Sequence, residues 1–523
     1  MKPLARILKQ LEPKMPRYNE YLLRGFMADQ LAGAAEFVDV MFREAVKLFG
    51  GQITYLGFKT MEPERRAEYE LNARGGCRIT QSDLILIEYM FDHAGRVYTI
   101  PLYIPYLRND VVMIEDTTYV LQRSIKEQAF SRIAHGITMK VIRQPIQFYH
   151  NKTYRLESLS DDWSSNELVP TTTIYNRKSS NKQKLPSETV IHYLLCKFGF
   201  LGTIAMFGLT SEDCGFTTVI EHDVDTFRYF AAKKTESKSA KKKLPLDLYF
   251  KIRKDKLEDP IIVKLVASIL YTLTGFQKHI VEHLYETSGT LFRVLLGKII
   301  FNNVTNEQQN KQKIDTHISS VDTYLDPITQ ARLHSYGISV DDIYGLLKYV
   351  FCEINQLQRV AHTNLYASRV DYLEELLVET IGKSVYSSWY EAVRRLGGPD
   401  IDPRKLTDKE IQRILKFRDD LINRIYDSKI VQKSPPAYGD NAMVGHLIPK
   451  MRQSSQSKSG KVIGSPDHQF DPSILVVESV IAFSKTNPGA AGSINPYLQI
   501  TPTGGVIRPD YADEIDAIKK YLP

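Results

Sequence analysis

The sequence predicts a multidomain α+β protein. The chain has 523 residues, which is too long for a single hydrophobic core. Short β-branched and aromatic runs fill residues 77–175, whereas helical spacing of apolar residues dominates 260–300 and 340–430. Together, these two patterns predict strands and helices in several domains.

The first 70 residues predict two helices, followed by a strand-rich region. Leu4, Ile7, Leu8 and Leu11 share one helical face, and "EFVDVMFREAVKLF" repeats this spacing. Turn residues such as Gly95 and Pro145 then separate shorter runs. These runs are "RITQSDLILIEYMF", "RVYTIPLYIPYL", "DVVMIED" and "GITMKVIRQPIQFYH". They predict an antiparallel sheet region.

A polar loop then leads into a helix with a predicted N-cap at Ser187. Its apolar face consists of Val190, Ile191, Leu194 and Leu195. Further along, "AAKKTESKSAKKKLP" places six lysines between 233 and 243. A run of this kind is most often a solvated loop, and the alternative is a loop that faces phosphate groups.

Bulk composition favours a soluble intracellular protein. The net charge is +7 and the pI is about 8.8, a mild excess that is compatible with nucleic-acid contact but does not require it. The four cysteines are far apart and predict neither a disulfide framework nor a zinc knuckle. The N-terminus lacks the apolar region of a signal peptide, and Lys264 interrupts the most apolar stretch, 260–279.

The C-terminal part combines a buried run with a Pro/Gly-rich ending. "RQSSQSKSGK" at 452–461 predicts a polar loop, and "SILVVESVIAFS" follows it as a buried segment. In "INPYLQITPTGGVIRPD", Gly504 and Gly505 can adopt positive φ or admit a neighbouring chain.

One catalytic motif stands alone. "HIVEH" has the H-x-x-E-H form of one class of zinc peptidases, with His279 and His283 one helical turn apart and Glu282 as a possible base. The following helix, "GTLFRVLLGKIIFNN", offers no carboxylate as a third ligand, so a chance match is the favoured interpretation. The nearby carboxylates Glu221, Asp223 and Asp225 would be splayed by a strand or turn and give little support to a two-metal centre.

Four stretches, read in order, resemble the N-terminal half of the β subunit of multisubunit, cellular-type RNA polymerase. Residues 72–133 are similar to the β protrusion, and Ile100-Pro101-Leu102 stands at the family's "IPL". Residues 177–200 are similar to the lobe, with Lys184-Leu185-Pro186 and Gly199 in register. Residues 321–354 resemble the return from lobe to protrusion, and the C-terminal "NPYLQIT" and "TPTGGV" resemble the start of the fork region.

The chain also departs from the family pattern. The bacterial subunit places "H-K-R-R-L-S-A" between the last two elements, and this chain has nothing between them, so only one of the two can be the fork match. Lysines 178, 182 and 184 stand where the lobe of the family has arginines. A complete β subunit continues for more than this length again, with the hybrid-binding and flap regions. The resemblance therefore implies the N-terminal half of a split β subunit, as encoded by giant tailed phages related to phiKZ.

The resemblance implies a domain order. Residues 1–144 would hold the N-terminal helices and the first part of the protrusion, and 145–325 the lobe-like domain. The helical protrusion return would cover 326–440, and the fork-like region 441–523. The expected fold is thus an α+β multidomain assembly of an RNA polymerase β-like protrusion, lobe and start of the fork.

The resemblance also implies a role within a complex. The complex would be a DNA-directed RNA polymerase, a nucleotidyltransferase, with Mg²⁺ on the aspartates of a β′-like partner and no cofactor or catalytic residue on this chain. Its partners would be a C-terminal β fragment, β′-like fragments, the DNA template and the RNA transcript, with no membrane. It would act in the cytoplasm of the infected bacterium, in a phage nucleus or in the virion, and would not be secreted.

Site residues are expected in the fork-like region. Lys485, Asn495 and Arg508 are the predicted nucleic-acid contacts, and an ordinary surface cation is an equal alternative for Lys485. An unpaired apolar run and the Gly-Gly turn predict a large interface with a partner chain. The predicted interface residues are Ile474, Val477, Ile481, Phe483, Gly504 and Gly505.

Two other function classes remain open from the sequence. One is a structural or interaction protein of a phage particle that has no catalytic partner. The other is a zinc hydrolase that uses His279, Glu282 and His283.

Overall fold

A computed structural model describes part of the chain. The described residues are 34–74, 84–105, 111–121, 125–127, 129–133, 135–142, 145–156, 158, 168–176, 188–217, 219–220, 225–231, 249–273, 289–301, 306–322, 324–360, 365–370, 377, 381–396, 405–416, 431–433, 450–452, 473–479, 491–495, 498–500 and 505–510.

The described residues form both helices and strands. The helices are α1 (Ala34–Ala45), α2 (Pro63–Arg74), α3 (Val190–Met206), α4 (Pro260–Leu273), α5 (Thr290–Ile300), α6 (Glu307–Asp322), α7 (Pro327–Ser335), α8 (Ile343–Val360), α9 (Lys383–Leu396), α10 (Asp408–Leu415) and α11 (Ile474–Val477). Short 3₁₀ turns cover Val46–Phe49, Lys254–Glu258 and Leu365–Ala367.

The strands form several small sheets. They are β1 (Thr54–Thr60), β2 (Leu84–His93), β3 (Arg96–Pro105), β4 (Val111–Ile114), β5 (Thr117–Leu121), β6 (Ile125–Glu127), β7 (Phe130–Ile133), β8 (Gly136–Met139), β9 (Ile146–Arg155), β10 (Leu168–Asn176), β11 (Glu188–Thr189), β12 (Cys214–Thr217), β13 (Phe227–Ala231), β14 (Tyr249–Arg253), β15 (Ser368–Val370), β16 (Val431–Lys433), β17 (Lys450–Arg452), β18 (Glu478–Ser479) and β19 (Ala491–Ile494). The mixture of helices and small sheets is compatible with an α+β multidomain protein.

The chain divides into two compact units. Unit 1 combines Met1–Gln128 with Val360–Pro523, and unit 2 is Ala129–Arg359. Unit 1 holds the sheets β1-β2-β3, β16-β5-β4, β15-β6 and β17-β19-β18. Unit 2 holds β11-β10-β9-β8-β7 and β12-β14-β13. The pairing is antiparallel in each of these sheets, as the sequence predicts for residues 77–175.

An aromatic cluster forms the core of unit 1. Helix α1 buries Val38, Met41, Phe42 and Ala45, a spacing that lines one face of a helix and confirms the prediction from "EFVDVMFREAVKLF". The Trp389 ring of α9 lies 5.7 Å from Phe42, 5.4 Å from Phe49 and 5.7 Å from Phe91 between ring centroids. The Trp389 Nε1 donates to the Ile414 carbonyl at 3.1 Å, so one side chain joins α1, β2, α9 and α10.

Helix α3 of unit 2 begins later than predicted and is kinked. Thr189 caps it, with its side-chain oxygen accepting from the backbone amide of His192 at 3.2 Å, so the prediction of Ser187 as N-cap is wrong. A threonine in extended conformation directly before the first helical turn meets the same geometric demand. The predicted apolar face, Val190, Ile191, Leu194 and Leu195, is fully buried, which confirms that part of the prediction.

The kink in α3 lies at Gly199, whose backbone has φ 69° and ψ −175°. Two side chains satisfy carbonyls beside the break: Thr203 Oγ1 donates to the Gly199 carbonyl at 2.7 Å, and Arg293 Nε to that of Cys196 at 2.8 Å. Gly289, just before α5, closely approaches this point, since a Cβ there would lie 2.6 Å from the Cys196 carbonyl oxygen. Unit 2 therefore depends on two glycines at one helix junction.

His192 is a buried charged group at the same junction. Its Nδ1 lies 3.1 Å from Glu188 Oε2 and its Nε2 lies 3.0 Å from the Phe292 carbonyl oxygen. Because both neighbours are acceptors, the ring satisfies them only as an imidazolium that donates from both nitrogens. Burial lowers the pKa of His192, but Cys196 and Glu188 outweigh it and raise the pKa to about 10.

The pH dependence of unit 2 follows from this pair. A His pKa that is raised from 6.5 to about 10 on folding stabilises the fold fully below pH 6.5, and the contribution is lost as the pH rises through 10. We expect thermal unfolding to show that His192→Gln has a lower free energy of unfolding than wild type below pH 6.5. The difference in free energy of unfolding between wild type and His192→Gln should become smaller by at least about 1 kcal/mol above pH 10. If the difference in free energy of unfolding between the two proteins did not change with pH, this would contradict the conclusion that His192 is protonated in the folded protein.

The predicted helical region 340–430 is correct only in part. Helices α8, α9 and α10 lie within it, but residues 368–370 form strand β15, which pairs with β6. "SRV" has no strand-length pattern of its own, and the cross-strand partner determines its conformation. Ser187, His279, Glu282, His283 and the six-lysine run lie outside the described residues.

Candidate nucleic-acid interface

A strand ladder in unit 1 holds the described part of the predicted site. Strand β15 pairs with β6 on one side, and on its other side Arg369 forms an antiparallel bridge with Gly505. The Val506 amide donates to the Ser368 carbonyl at 3.0 Å. Val506 in turn forms a bridge with Ile500, and the Ile507 amide donates to the Gln499 carbonyl at 2.9 Å. We call residues 365–370, 498–500 and 505–508 the C-terminal ladder.

Gly505 is buried within this ladder. Its backbone lies close enough to the neighbouring strand to form a β-bridge. The neighbour that it admits is Arg369 of the same chain. Gly505 and Val506 therefore extend a sheet of their own unit, and Gly504 lies outside the described residues.

Arg508 is exposed at the end of the ladder. Its guanidinium carbon lies 6.0 Å from the centroid of the Tyr366 ring, which is a cation–π distance, and Tyr366 is itself buried. Antiparallel partners run in opposite directions, so moving three residues back from Arg369 and three forward from Gly505 brings Tyr366 level with Arg508. The contact is thus a product of the strand register.

Asn495 directly follows β19 and bonds to α11. Its side-chain Nδ2 donates to the Val476 carbonyl at 3.1 Å, and its backbone amide donates to the Val477 carbonyl at 2.8 Å. Ser473, fully buried, accepts at Oγ from the Leu365 amide at 3.0 Å. In this structure Asn495 fixes α11 and β19 together, while a contact with nucleic acid stays a prediction.

The apolar run is covered where it is described. Val477 has no exposed surface and Val476 is 6% exposed, so the chain itself buries both side chains. Ile474 begins α11. Ile481, Phe483 and Lys485 lie outside the described residues, and their predicted roles remain predictions.

Sequence reasoning missed two basic residues, Arg369 within the ladder and Lys126 on the strand beside it. Arg369 is buried at the centre of β15, and the register places Lys126 of β6 opposite it. With Arg508 they put three basic residues on three adjacent strands. The sequence shows only that Lys126 and Arg369 are basic. It does not show that they are neighbours, because the strands that pair here lie more than 100 positions apart in the chain.

Other chemistry is not visible in the parts of the chain that the structure covers. Within them, no cluster of three or more His, Cys, Asp or Glu side chains has the arrangement of a metal site. Within the same residues, no helix has the length and apolarity needed to cross a bilayer. Among the described residues of the C-terminal ladder, Arg508 is exposed and the nearby Tyr366 ring is buried.

Comparison with known families identifies the class of protein. The sequence model of the family described as "Non-virion RNA polymerase subunit" matches residues 4–508, nearly the whole chain. Comparison with curated protein sequences finds no match. The chain therefore belongs to the non-virion RNA polymerase subunit family, and being such a subunit implies partner polymerase subunits.

Proposed function

We propose that this chain is the N-terminal half of a split β subunit of a phage-encoded, DNA-directed RNA polymerase. The observation that carries the proposal is the family match over residues 4–508, joined to the order of the four β-like stretches. Among the described residues of two of these stretches, Ile100-Pro101-Leu102 lies in the antiparallel strand β3 and Gly199 lies in α3.

In this proposal the chain positions nucleic acid and leaves the chemistry to another subunit. Mg²⁺ would be held by aspartates of a β′-like partner, and this chain would form a wall of the DNA channel and the rim of the active centre. Arg508, Asn495 and Lys485 would face template or transcript. Contacts of this type bind phosphates and carry little base-specific information.

The same proposal requires an obligate partner. Ile474, Ile481, Phe483, Gly504 and Gly505 would lie at or beside the surface that meets the C-terminal β fragment, with Val477 packed beneath them. An interface between two halves of one ancestral subunit is expected to be large and apolar.

Expression tests the split-subunit proposal. The chain expressed alone is expected to aggregate, because the surface meant for the other half is exposed to water. Co-expression with the C-terminal β fragment is expected to give a soluble complex of the two. A chain that is a well-behaved monomer alone, with a sharp thermal transition and no binding to that fragment, would contradict the proposal.

A further inference from the structure

We infer that one face of α10 binds the phosphate backbone of nucleic acid in the assembled polymerase. Lys409, Arg413 and Lys416 form this face, which we call the α10 basic face. All three side chains are exposed, and none makes an ion pair or a side-chain hydrogen bond with the described residues. The inference rests on the proposed function and adds to it a binding surface outside the C-terminal ladder.

The helical repeat places the charged side of α10 opposite its core side. The buried residues of the helix are Ile411, Ile414 and Leu415. At about 100° per residue, these three lie on one side of the helix, and the cations of the α10 basic face lie within about 60° of the opposite side. The three positive charges therefore point away from unit 1 as a group.

The acidic residues of α10 are paired with other elements. Asp408 accepts from the Arg96 guanidinium and from the Tyr98 hydroxyl of β3, the latter at 3.0 Å. Glu410 accepts from the Arg395 guanidinium of α9. The two carboxylates of the helix are thus engaged at its flanks, and they do not neutralise the α10 basic face.

A solvated helix surface does not fully account for this arrangement. The helix dipole favours cations near the C-terminal end, which accounts for Arg413 and Lys416. Lys409, however, lies in the first turn, where the dipole disfavours a cation, and like charges four residues apart repel each other. Lys405 adds a further exposed cation just before the helix. The positive face therefore costs stability in the free chain, and an anionic partner would remove that cost.

Helix α10 is held in place at both ends. The carbonyl of the buried Leu406, just before the helix, lies 3.2 Å from His93 Nε2. Near the other end, the Ile414 carbonyl accepts from Trp389 Nε1 at 3.1 Å. The cations accordingly extend from a fixed element, so that binding orders only their side chains.

The length of the face suits a row of phosphates. At about 1.5 Å per residue, the positions from Lys409 to Lys416 span about 10 Å along the helix. One strand of a duplex carries a phosphate about every 3.4 Å along its axis, so this span corresponds to about three phosphates. Because the chain belongs to an RNA polymerase subunit family, nucleic acid is the polyanion that we assign to the face. An acidic surface of a partner subunit is the competing outcome of the test.

The test uses the assembled polymerase and a synthetic DNA scaffold that carries an RNA–DNA hybrid. Affinity is measured by fluorescence anisotropy over a series of KCl concentrations. Lys409→Gln, Arg413→Gln and Lys416→Gln are each expected to weaken binding equally on unrelated scaffold sequences. Each should also reduce the slope of log K against log salt by about 1, and the triple variant should reduce it by about 3.

Matched variants separate the α10 basic face from a general effect of charge. The control removes the same charge from three exposed lysines of unit 2, as Lys140→Gln/Lys311→Gln/Lys313→Gln, and should change the slope clearly less. Arg413→Lys keeps the charge and should keep the slope. Hydrogen exchange of the α10 amides should not become faster in the triple variant, since its three side chains support no described contact.

Three results would overturn the inference. An unchanged salt slope in an intact triple-variant complex would show that the face binds no phosphate. Loss of a partner chain from that complex would assign the face to an acidic protein surface. An equal change of slope in the unit 2 control would show that net charge alone sets the affinity. The proposed function fails separately, if the wild-type complex does not bind the scaffold or contains no C-terminal β-like chain.

Discussion

Replacing Trp389 with alanine is expected to destabilise unit 1 by about 3–5 kcal/mol, the range found when a large aromatic is removed from a core. Trp389 is fully buried against three other aromatic rings, and its truncation also leaves the Ile414 carbonyl without its donor. Hydrogen exchange of the assembled complex should show faster exchange in α1 and β2, and less complex should be recovered.

Two variants control this prediction. Trp389→Phe keeps an aromatic ring and loses the N–H, so it should cost clearly less than alanine. Ser388→Ala changes an exposed neighbour in the same helix and should stay within about 0.5 kcal/mol of wild type. If Trp389→Ala left the exchange of α1 unaltered, the aromatic cluster would not be the core of unit 1.

Gly289→Ala is expected to disrupt the junction of α3 and α5 in unit 2. Its Cβ would lie 2.6 Å from the Cys196 carbonyl oxygen and 2.7 Å from that of Leu195, and the backbone has φ +67°. Overpacking against backbone and a left-handed conformation act together, so a loss of about 3 kcal/mol is expected. Hydrogen exchange of the α3 backbone amides in the complex measures this loss of stability, and we expect faster exchange in Gly289→Ala than in wild type.

Gly208 supplies the matched control. It has a similar φ of +75°, but a Cβ there meets nothing within 4 Å. Gly208→Ala should therefore cost only the conformational term, about 1 kcal/mol. Equal effects at the two glycines would mean that the close approach at Gly289 contributes nothing.

Local pattern predicted the elements whose own residues determine them. Helix α1 follows from the spacing of Val38, Met41, Phe42 and Ala45, and strands β2 and β3 follow from long β-branched and aromatic runs around Gly95. The start of α3 was predicted two residues early, because Ser187 and Thr189 are both good caps and pattern alone does not choose between them. The kink at Gly199 was not predicted.

The candidate site depended on long-range pairing and was predicted only in part. Arg508 and Gly505 were found from "TPTGGVIRPD", but Tyr366 and Arg369 were not, since a three-residue strand carries no periodicity. The apolar run near 474–483 was predicted as uncovered, and its described valines are buried by the chain itself. The apolar composition of this run predicts that it is buried. Composition alone does not predict whether the same chain or a partner chain buries it.

The two units would contribute differently to the proposed role. Unit 2 is stabilised by a broad apolar core and the buried His192 imidazolium, which suits a rigid wall. Unit 1 combines segments from both ends of the chain and carries the C-terminal ladder with its exposed Arg508. Nucleic-acid contact is accordingly proposed for unit 1 at the ladder.

Isolation of the native complex tests the central claim most directly. The chain would be tagged, recovered from infected cells, and the co-isolated chains identified by mass spectrometry and assayed for Mg²⁺- and template-dependent RNA synthesis. We predict a C-terminal β-like chain and β′-like chains in stoichiometric amounts, with RNA synthesis by the complex. Recovery of the tagged chain alone, or with particle proteins only and without RNA synthesis, would contradict the assignment as half of a split β subunit.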